Sequence, residues 1–381
     1  MSLPRVVVTG IGLMSALGTS APINWQKLTA GGSAIALRQP FLSLPPIPLA
    51  MVSKHPEPVD RITRAVVEEA WSDADLELGC DCNCGIVIGS SRSHLREWEV
   101  MATQQRQGKS LEGWLAALPH MPALLASRII GSKGPLLAPM AACATGVWAI
   151  AQGVDLIRSG QCQRVLAGAV ESPITPLTIA GFRKMGALAK TGCYPFDSDR
   201  EGFVLGEGGA AIVLESAEVA QRRNANIYGE VLAVGITNDS HHVSSFDPTY
   251  QMGRQALGMC LQRSGIEAEA VDAVHTHGTS TAQNDRMEAH LIEQMLRPTV
   301  PVMATKGAMG HTLGASGAAI VALSLMSLKH QMVLPCVGLK NPEFELNFIR
   351  QTDRQRLDNV LCFSFGFGGQ NAVLSLASSL R

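Results

Sequence analysis

EGFVLGEGGAAIVLESA, residues 201–217, is a glycine-rich turn feeding an apolar strand, and it has an echo near the end of the chain. FSFGFGGQNAVLSLAS, residues 363–378, sets Gly366, Gly368, Gly369 and Leu374 opposite Gly206, Gly208, Gly209 and Leu214, a constant offset of 160 (366 − 206). Each copy closes a series of alternating strand and helix patterns. We read this as a degenerate internal duplication of two α/β halves, divided near residues 216–226 into 1–220 and 221–381. Strands alternating with helices imply buried sheets covered by helices.

Working outward through the first half, a β-branched strand over residues 5–9 is closed by Gly10. Pro40, Pro45, Pro46, Pro48, Pro56 and Pro58 make the next part an extended surface excursion. Asp60 has the chemistry of an N-cap for a helix reaching Ser72, with Arg61 and Arg64 on one face. Residues 85–89 and 164–170 read as strands, residues 91–131 as helical in mixed fashion, and the stretch to Asp199 as irregular. In the second half a short strand ends at His275, and a helix over 286–296 follows with Asp285 and Glu288 at capping-box spacing.

The composition excludes several classes of function. With 31 basic against 32 acidic residues the net charge is −1, so no polyelectrolyte signature for nucleic acid or an anionic membrane is present. No run of about 18 uncharged apolar residues argues for a membrane span, and the N-terminus lacks the pattern of a secretory signal. The nine cysteines read as reduced cytosolic thiols. Cys80, Cys82 and Cys84 alternate without a C-x-x-C pair or a nearby His cluster, so a turn before the strand accounts for them better than a metal does.

Four stretches carry chemistry. In PMAACATGVWAIAQG, residues 139–153, small residues flank Cys143, and a helical pattern runs from Ala144 to Arg158, ending at Gly160. A sulfur near that helix N-terminus is favoured as thiolate, which would lower its pKa; the alternative is a small buried core residue. DAVHTHGTSTAQNDRMEAHL, residues 272–291, places His277 in a turn beside Thr279 and Thr281, where a neutral imidazole and short hydroxyls can donate to a ligand, or simply hold the turn. ATKGAMGHTLGASGAAIVALSL, residues 304–325, carries Lys306 and His311 ahead of an alanine-faced helix. A buried ammonium needs a partner, and Glu288 is the candidate. In the run from Phe363 to Asn371, glycines let backbone N–H groups approach a developing oxyanion, or form a tight turn.

Together these motifs resemble the β-ketoacyl-acyl carrier protein synthases of the decarboxylating, elongating kind, closest to synthase II. The resemblance runs from RVVVTGIGLMSALG to SFGFGGQNA, with the Cys motif, HGTST, KGAMGH, GFGG and PFDSDREGFVLGEGGAAIVLE in the family's order. It implies a thiolase-type fold, two similar halves in five αβαβα layers. Cys143 would take an acyl chain from a carrier-protein thioester. His277 and His311 would stabilise the enolate left as malonyl-carrier protein loses CO₂, and Claisen condensation would give a 3-oxoacyl product two carbons longer.

By the same resemblance the Cys143 and Phe367 N–H groups form the oxyanion hole, in the loop that includes Gly368. Lys306 and Glu288 are a supporting ion pair. Thr279 and Thr281 hold the phosphopantetheine arm beside Phe365, and Phe367 and Phe182 gate the acyl pocket. Arg61, Arg64, Arg183 and Lys184 are expected to form a basic patch for acyl carrier protein. The expected assembly is a cytoplasmic homodimer, or a heterodimer with a related subunit. No metal or separate cofactor is implied, because phosphopantetheine enters on the carrier protein. The alternative function is a non-catalytic partner resembling chain-length factors. Departures from the family pattern fall at Ala144, where Ser or Thr is usual, at Tyr194, where Arg is usual, in the short stretch between Phe182 and Tyr194, and in GFGGQN.

Overall fold

The computed structural model describes residues 3–79 and 83–379. The β-rich periodicity builds one continuous sheet. Its strands, in chain order, are β1 (Val6–Ser15), β2 (Gly85–Gly89), β3 (Leu136–Leu137), β4 (Arg164–Glu171), β5 (Gly208–Ser216), β6 (Gly229–Asn238), β7 (Ala273–His275), β8 (Val302–Met303), β9 (Asn359–Gly366) and β10 (Gln370–Ala377). They lie in the order β8-β7-β9-β10-β6-β1-β5-β4-β2-β3. Read outward from the centre, each strand of one side corresponds to the strand five places later on the other. The sense of pairing repeats as well: two antiparallel steps, then two parallel ones, on each side. The sides meet where β1 and β6 pair antiparallel through Val7–Glu230 and Val8–Gly229. The glycine echo therefore marks β5 and β10, the same strand in two copies of one unit.

Helices complete five layers. α1 (Val59–Asp73) and α2 (Met121–Ile130) cover one outer face, while α4 (Gln251–Ser264) and α5 (Ala282–Met295) cover the other. Between the two sheet halves lie α3 (Thr145–Arg158) and α6 (Ser316–His330), which touch one another and strands of both sides. α6 is buried around its whole circumference from Ser316 to Leu328, as expected of a helix with sheet on both sides. The stretch Leu313–His330 is long and apolar enough by length and composition to cross a membrane, a run the sequence reading did not single out. Inside this molecule 89% of it is buried, as the core helix.

α3 and α6 cross at their first turns, where an ideal Cβ on Gly146 would lie 2.3 Å from Ala318 N and one on Gly317 would lie 3.0 Å from Val147 N. Only glycines admit this approach. The crossing sets the N-terminus of the helix that follows Cys143 against that of the helix that follows His311.

Several local expectations are corrected. β1 does not stop at Gly10 but runs to Ser15, because α1 crosses it so closely that a Cβ on Gly12 would lie 2.0 Å from Val66 O. Pro58, not Asp60, precedes the first turn of α1, and the Asp60 carboxylate instead meets His94 Nε2 at 3.0 Å. α5 starts at Ala282, four residues before the expected 286, so Asp285 and Glu288 lie inside it and face the core rather than forming a capping box. The stretch 91–131 contains two helices, Leu95–Arg106 and α2, with a short 3₁₀ turn between. The irregular stretch before Asp199 contains a helix, Pro176–Lys184. Cys80 and Cys82 lie outside the described residues; Cys84 is buried.

Candidate active site

Cys143 ends a tight turn ahead of α3. Ala142 is held at φ 47°, in the left-handed region that disfavours a side chain, and the Thr145 hydroxyl locks the turn. That hydroxyl accepts from Ala141 N (2.9 Å) and donates to Ala142 O (2.6 Å). From the second half, Ser364 Oγ donates to Cys143 O at 3.1 Å, and the Phe367 backbone N–H acts to favour the thiolate.

His311 Nε2 lies 3.2 Å from Cys143 Sγ. The His277 and His311 rings meet edge to face with centroids 5.2 Å apart. One donor atom from each of Cys143, His277 and His311 lies within 4.8 Å of the others, and all three are buried. Behind His277, Lys306 Nζ lies 3.3 Å from Nδ1 and also donates to the His277 carbonyl. An ammonium can only donate, so Nδ1 accepts and Nε2 carries the ring proton toward the pocket.

Glu288 does not meet Lys306 as a direct ion pair, contrary to expectation. Its carboxylate accepts from His277 N, Gly278 N and Asn284 Nδ2, each at 2.6 Å. The two charges bracket the backbone of His277 instead, the acid on its amides and the lysine on its carbonyl and ring. Burial pulls Lys306 down and pushes Glu288 up from their ordinary ranges, and each acts on the other to oppose this.

Electrostatics correct a second expectation. Burial pushes the Cys143 thiol up to about 12, and the nearby Lys306 charge and the Phe367 N–H only partly oppose it. The helix-terminus argument gave the opposite direction because it counted the local field and not the loss of water. Both imidazoles are pulled well below their ordinary value, by burial first and then by Lys306, so they are neutral near pH 7.

These groups line a cavity of about 500 Å³ together with Thr279, Thr281, Phe182, Phe365 and Phe367. The Thr279 and Thr281 hydroxyls are 2.9 Å apart. Phe182 packs edge-on against Phe203 (5.1 Å) and tilted against Phe367 (6.2 Å). Gly368 lies outside the cavity wall: its N–H donates to Val243 O at 2.9 Å, tying the glycine loop down.

Of the expected basic patch, Arg183 and Lys184 are exposed and adjoin Met185 and Gly186 of the cavity wall. Arg61 and Arg64 lie on α1 away from the wall, engaged by Glu57 (2.7 Å) and Glu68 (3.1 Å). Sequence reasoning missed Phe203, whose ring packs edge-on against His311 at 5.2 Å, although it stands inside the midchain signature. It also missed Arg200 and the stretch from Ser244 to Phe246, whose loop carries no motif.

Comparison with known proteins agrees with this geometry. Residues 51–220 match the family model of the beta-ketoacyl synthase N-terminal domain, and residues 228–340 that of the C-terminal domain. A 3-oxoacyl-[acyl-carrier-protein] synthase 2 of Coxiella burnetii is 31% identical, covering 99% of each chain. A solved beta-ketoacyl synthase from Burkholderia phymatum superposes with a TM-score of 0.90 at 27% identity, covering 99% of this chain and 100% of that one. A type II polyketide ketosynthase solved with its acyl-carrier protein shares the fold, with a TM-score of 0.92 at 24% identity, covering 99% of this chain and 100% of that one. The chain belongs to the β-ketoacyl synthase family, whose members are condensing acyltransferases.

Proposed function

We propose, from that membership, that the chain is a 3-oxoacyl-[acyl-carrier-protein] synthase serving fatty acid or specialised polyene or polyketide synthesis. The half 1–220 supplies the nucleophile, and the half 221–381 supplies the two histidines, the lysine and the glycine loop. The observation that carries this reading is the contact of 3.2 Å between Cys143 Sγ and His311 Nε2, with His277 beside it.

In the first half-reaction Cys143 attacks the acyl thioester. Its proton passes by way of His311 Nε2 to the departing carrier thiol. The neutral imidazole matters here, because a thiol held near 12 needs an adjacent acceptor. The developing oxyanion lies at the Cys143 and Phe367 N–H groups.

In the second, malonyl-carrier protein enters between Thr279, Thr281 and the glycine loop. The C–C bond to its carboxylate breaks, CO₂ leaves, and the electron pair becomes an enolate. His277 Nε2–H and His311 stabilise the enolate oxygen. The carbanion attacks the acyl-Cys143 carbonyl, the C–S bond breaks, and the thiolate takes up a proton from solvent by way of His311 Nε2. Sulfur suits both steps, being a nucleophile and a good leaving group.

We propose that no metal or separate cofactor takes part. A Cys and two His at this spacing also resemble a ligand set, but the partner on His277 Nδ1 is an ammonium. A ligating imidazole normally has a carboxylate or carbonyl there, and a cation so placed opposes a second positive charge. The carrier protein would dock at the Arg183 and Lys184 side of the cavity mouth. A homodimer is supported by exposed Trp98, Trp114, Leu115 and Met140 in the segments around β3. A cytoplasmic location is supported by Cys143, Cys193, Cys260, Cys336 and Cys362, which stand as free thiols.

The test is incubation with acyl- and malonyl-carrier protein, following CO₂ and 3-oxoacyl product. Wild type should form both, and Cys143→Ala no condensed product. Equal condensation by the two would overturn the assignment. An intact catalytic set with no condensation alone, restored by adding a related subunit, would favour the partner-subunit reading.

A further inference from the structure

His311 lacks the usual device for aiming an imidazole. Its Nδ1 is buried with no hydrogen-bond partner among the described residues, so none of their carboxylates or carbonyls fixes the ring from behind. The ring is aimed by its neighbours Phe203 and His277 and by the backbone on either side. Upstream, His311 N donates to Val204 O (2.7 Å) and Gly206 N donates to His311 O (3.0 Å). Downstream, the first anchor is Gly314 N, which donates to Glu171 Oε2 at 3.0 Å.

Glu171 ends β4 and is completely buried. Besides Gly314 N, its Oε2 accepts from Ser91 N (2.8 Å) and Ser91 Oγ (2.5 Å), and its Oε1 accepts from Ser90 Oγ (2.9 Å) and Arg92 N (2.9 Å). Burial raises this carboxyl and the donors oppose it. Five donors from two separate segments on one carboxylate are far more than a strand end needs. One segment, Ser90 to Arg92, follows β2; Arg92 places its guanidinium 5.5 Å over the ring of Phe182 in the cavity wall. The other is the turn that carries His311 into α6.

We propose that Glu171 is a positioning residue for His311: its carboxylate clamps the imidazole-bearing turn of the second half to the loop of the first half that flanks the acyl cavity. Through this clamp the nucleophile side and the base side of the cavity are held at one spacing. The carboxylate also lies within electrostatic range of the sulfur. Two other charges act there: Lys306 and Arg92 favour the thiolate, whereas Glu171 opposes it.

The inference rests on the condensing-enzyme reading, and the experiment separates the two. Glu171→Gln keeps the size of the side chain but removes the charge and sets an NH₂ group against at least one of the five donors. Malonyl-pantetheine decarboxylation is measured alongside iodoacetamide alkylation of Cys143 as a function of pH. We expect kcat to fall about 10- to 100-fold with KM little changed, the size of effect that a displaced catalytic group produces. We also expect the alkylation profile to move to lower pH, because a charge opposing the thiolate is gone. A merely destabilised protein would lose active sites in proportion without moving that profile.

Folded Glu171→Gln with wild-type kcat, or with an unmoved alkylation profile, overturns the proposal. Should that variant fail to fold, Ser91→Ala removes one hydroxyl donor and should lower kcat about tenfold, the worth of one hydrogen bond to a charged group. An unchanged kcat for Ser91→Ala overturns the proposal in that case. If wild type itself does not decarboxylate the malonyl thioester, it is the condensing function that falls.

Discussion

Lys306→Met tests how the ammonium works on the enolate from behind an imidazole. Nζ lies 3.3 Å from His277 Nδ1. Counting the ring and one hydrogen bond of about 2.8 Å, it lies about 8 Å from an oxygen bound at Nε2. At an effective dielectric of about 20, a unit charge at that distance is worth about 2 kcal/mol. Losing the charge-assisted bond to Nδ1 also frees the ring to swap tautomers, for which about 1.5 kcal/mol is a fair allowance. The sum, about 3.5 kcal/mol, corresponds to about a 300-fold loss in the decarboxylation rate. Methionine fills the space but leaves the buried Glu288 carboxylate and the His277 carbonyl without their cation, so thermal stability should fall. The assay is CO₂ release from malonyl-carrier protein, with circular dichroism to confirm the fold. A folded Lys306→Met protein within about threefold of wild type would refute the idea that Lys306 sets the tautomer and field of His277.

Three further outcomes are expected. Alkylation of Cys143 should keep accelerating through pH 9, since burial holds the thiol up toward 12; a plateau below pH 8 in the rate–pH profile would contradict this. Gly146→Ala should cost about 3 kcal/mol in urea unfolding, because the new Cβ meets Ala318 N at 2.3 Å; a neutral result would mean α3 and α6 are not so tightly crossed. Charge reversal at Arg183 and Lys184 should raise KM for the carrier-borne substrate more than for a pantetheine thioester, whereas reversal at Arg61, already paired with Glu57, should do much less. Equal effects at both places, measured by steady-state kinetics, would rule out a patch confined to the cavity mouth.

The features legible in the sequence were those written locally. The repeated glycines 160 residues apart exposed the duplication, because both copies of that strand need the same turn. Cys143, His277 and His311 each stood in a short stretch of small or hydroxyl residues that leaves room for a ligand. What stayed hidden was contributed by the backbone or by burial. Lys306 found a carbonyl and a ring nitrogen rather than Glu288, and a carbonyl has no sequence signature. The thiol moved up rather than down because water exclusion is a property of the assembled layers, not of the helix beside it. Gly10 looked like a strand end, yet it serves a strand crossed by a helix more than fifty residues away in the chain. Glu171 gave no sign at all, since its donors come from segments that meet only in three dimensions.

The crossing of the two central helices has a consequence for how such an enzyme can vary. Sulfur and imidazole each precede the first turn of one of those helices, so a single fixed crossing, with Gly146 against Ala318 and Gly317 against Val147, sets their separation. The surface excursions that shape the entrance and the acyl cavity branch off elsewhere. They are therefore free to lengthen, shorten or change character while the reacting atoms keep their spacing, and substrate preference can drift without retuning the chemistry.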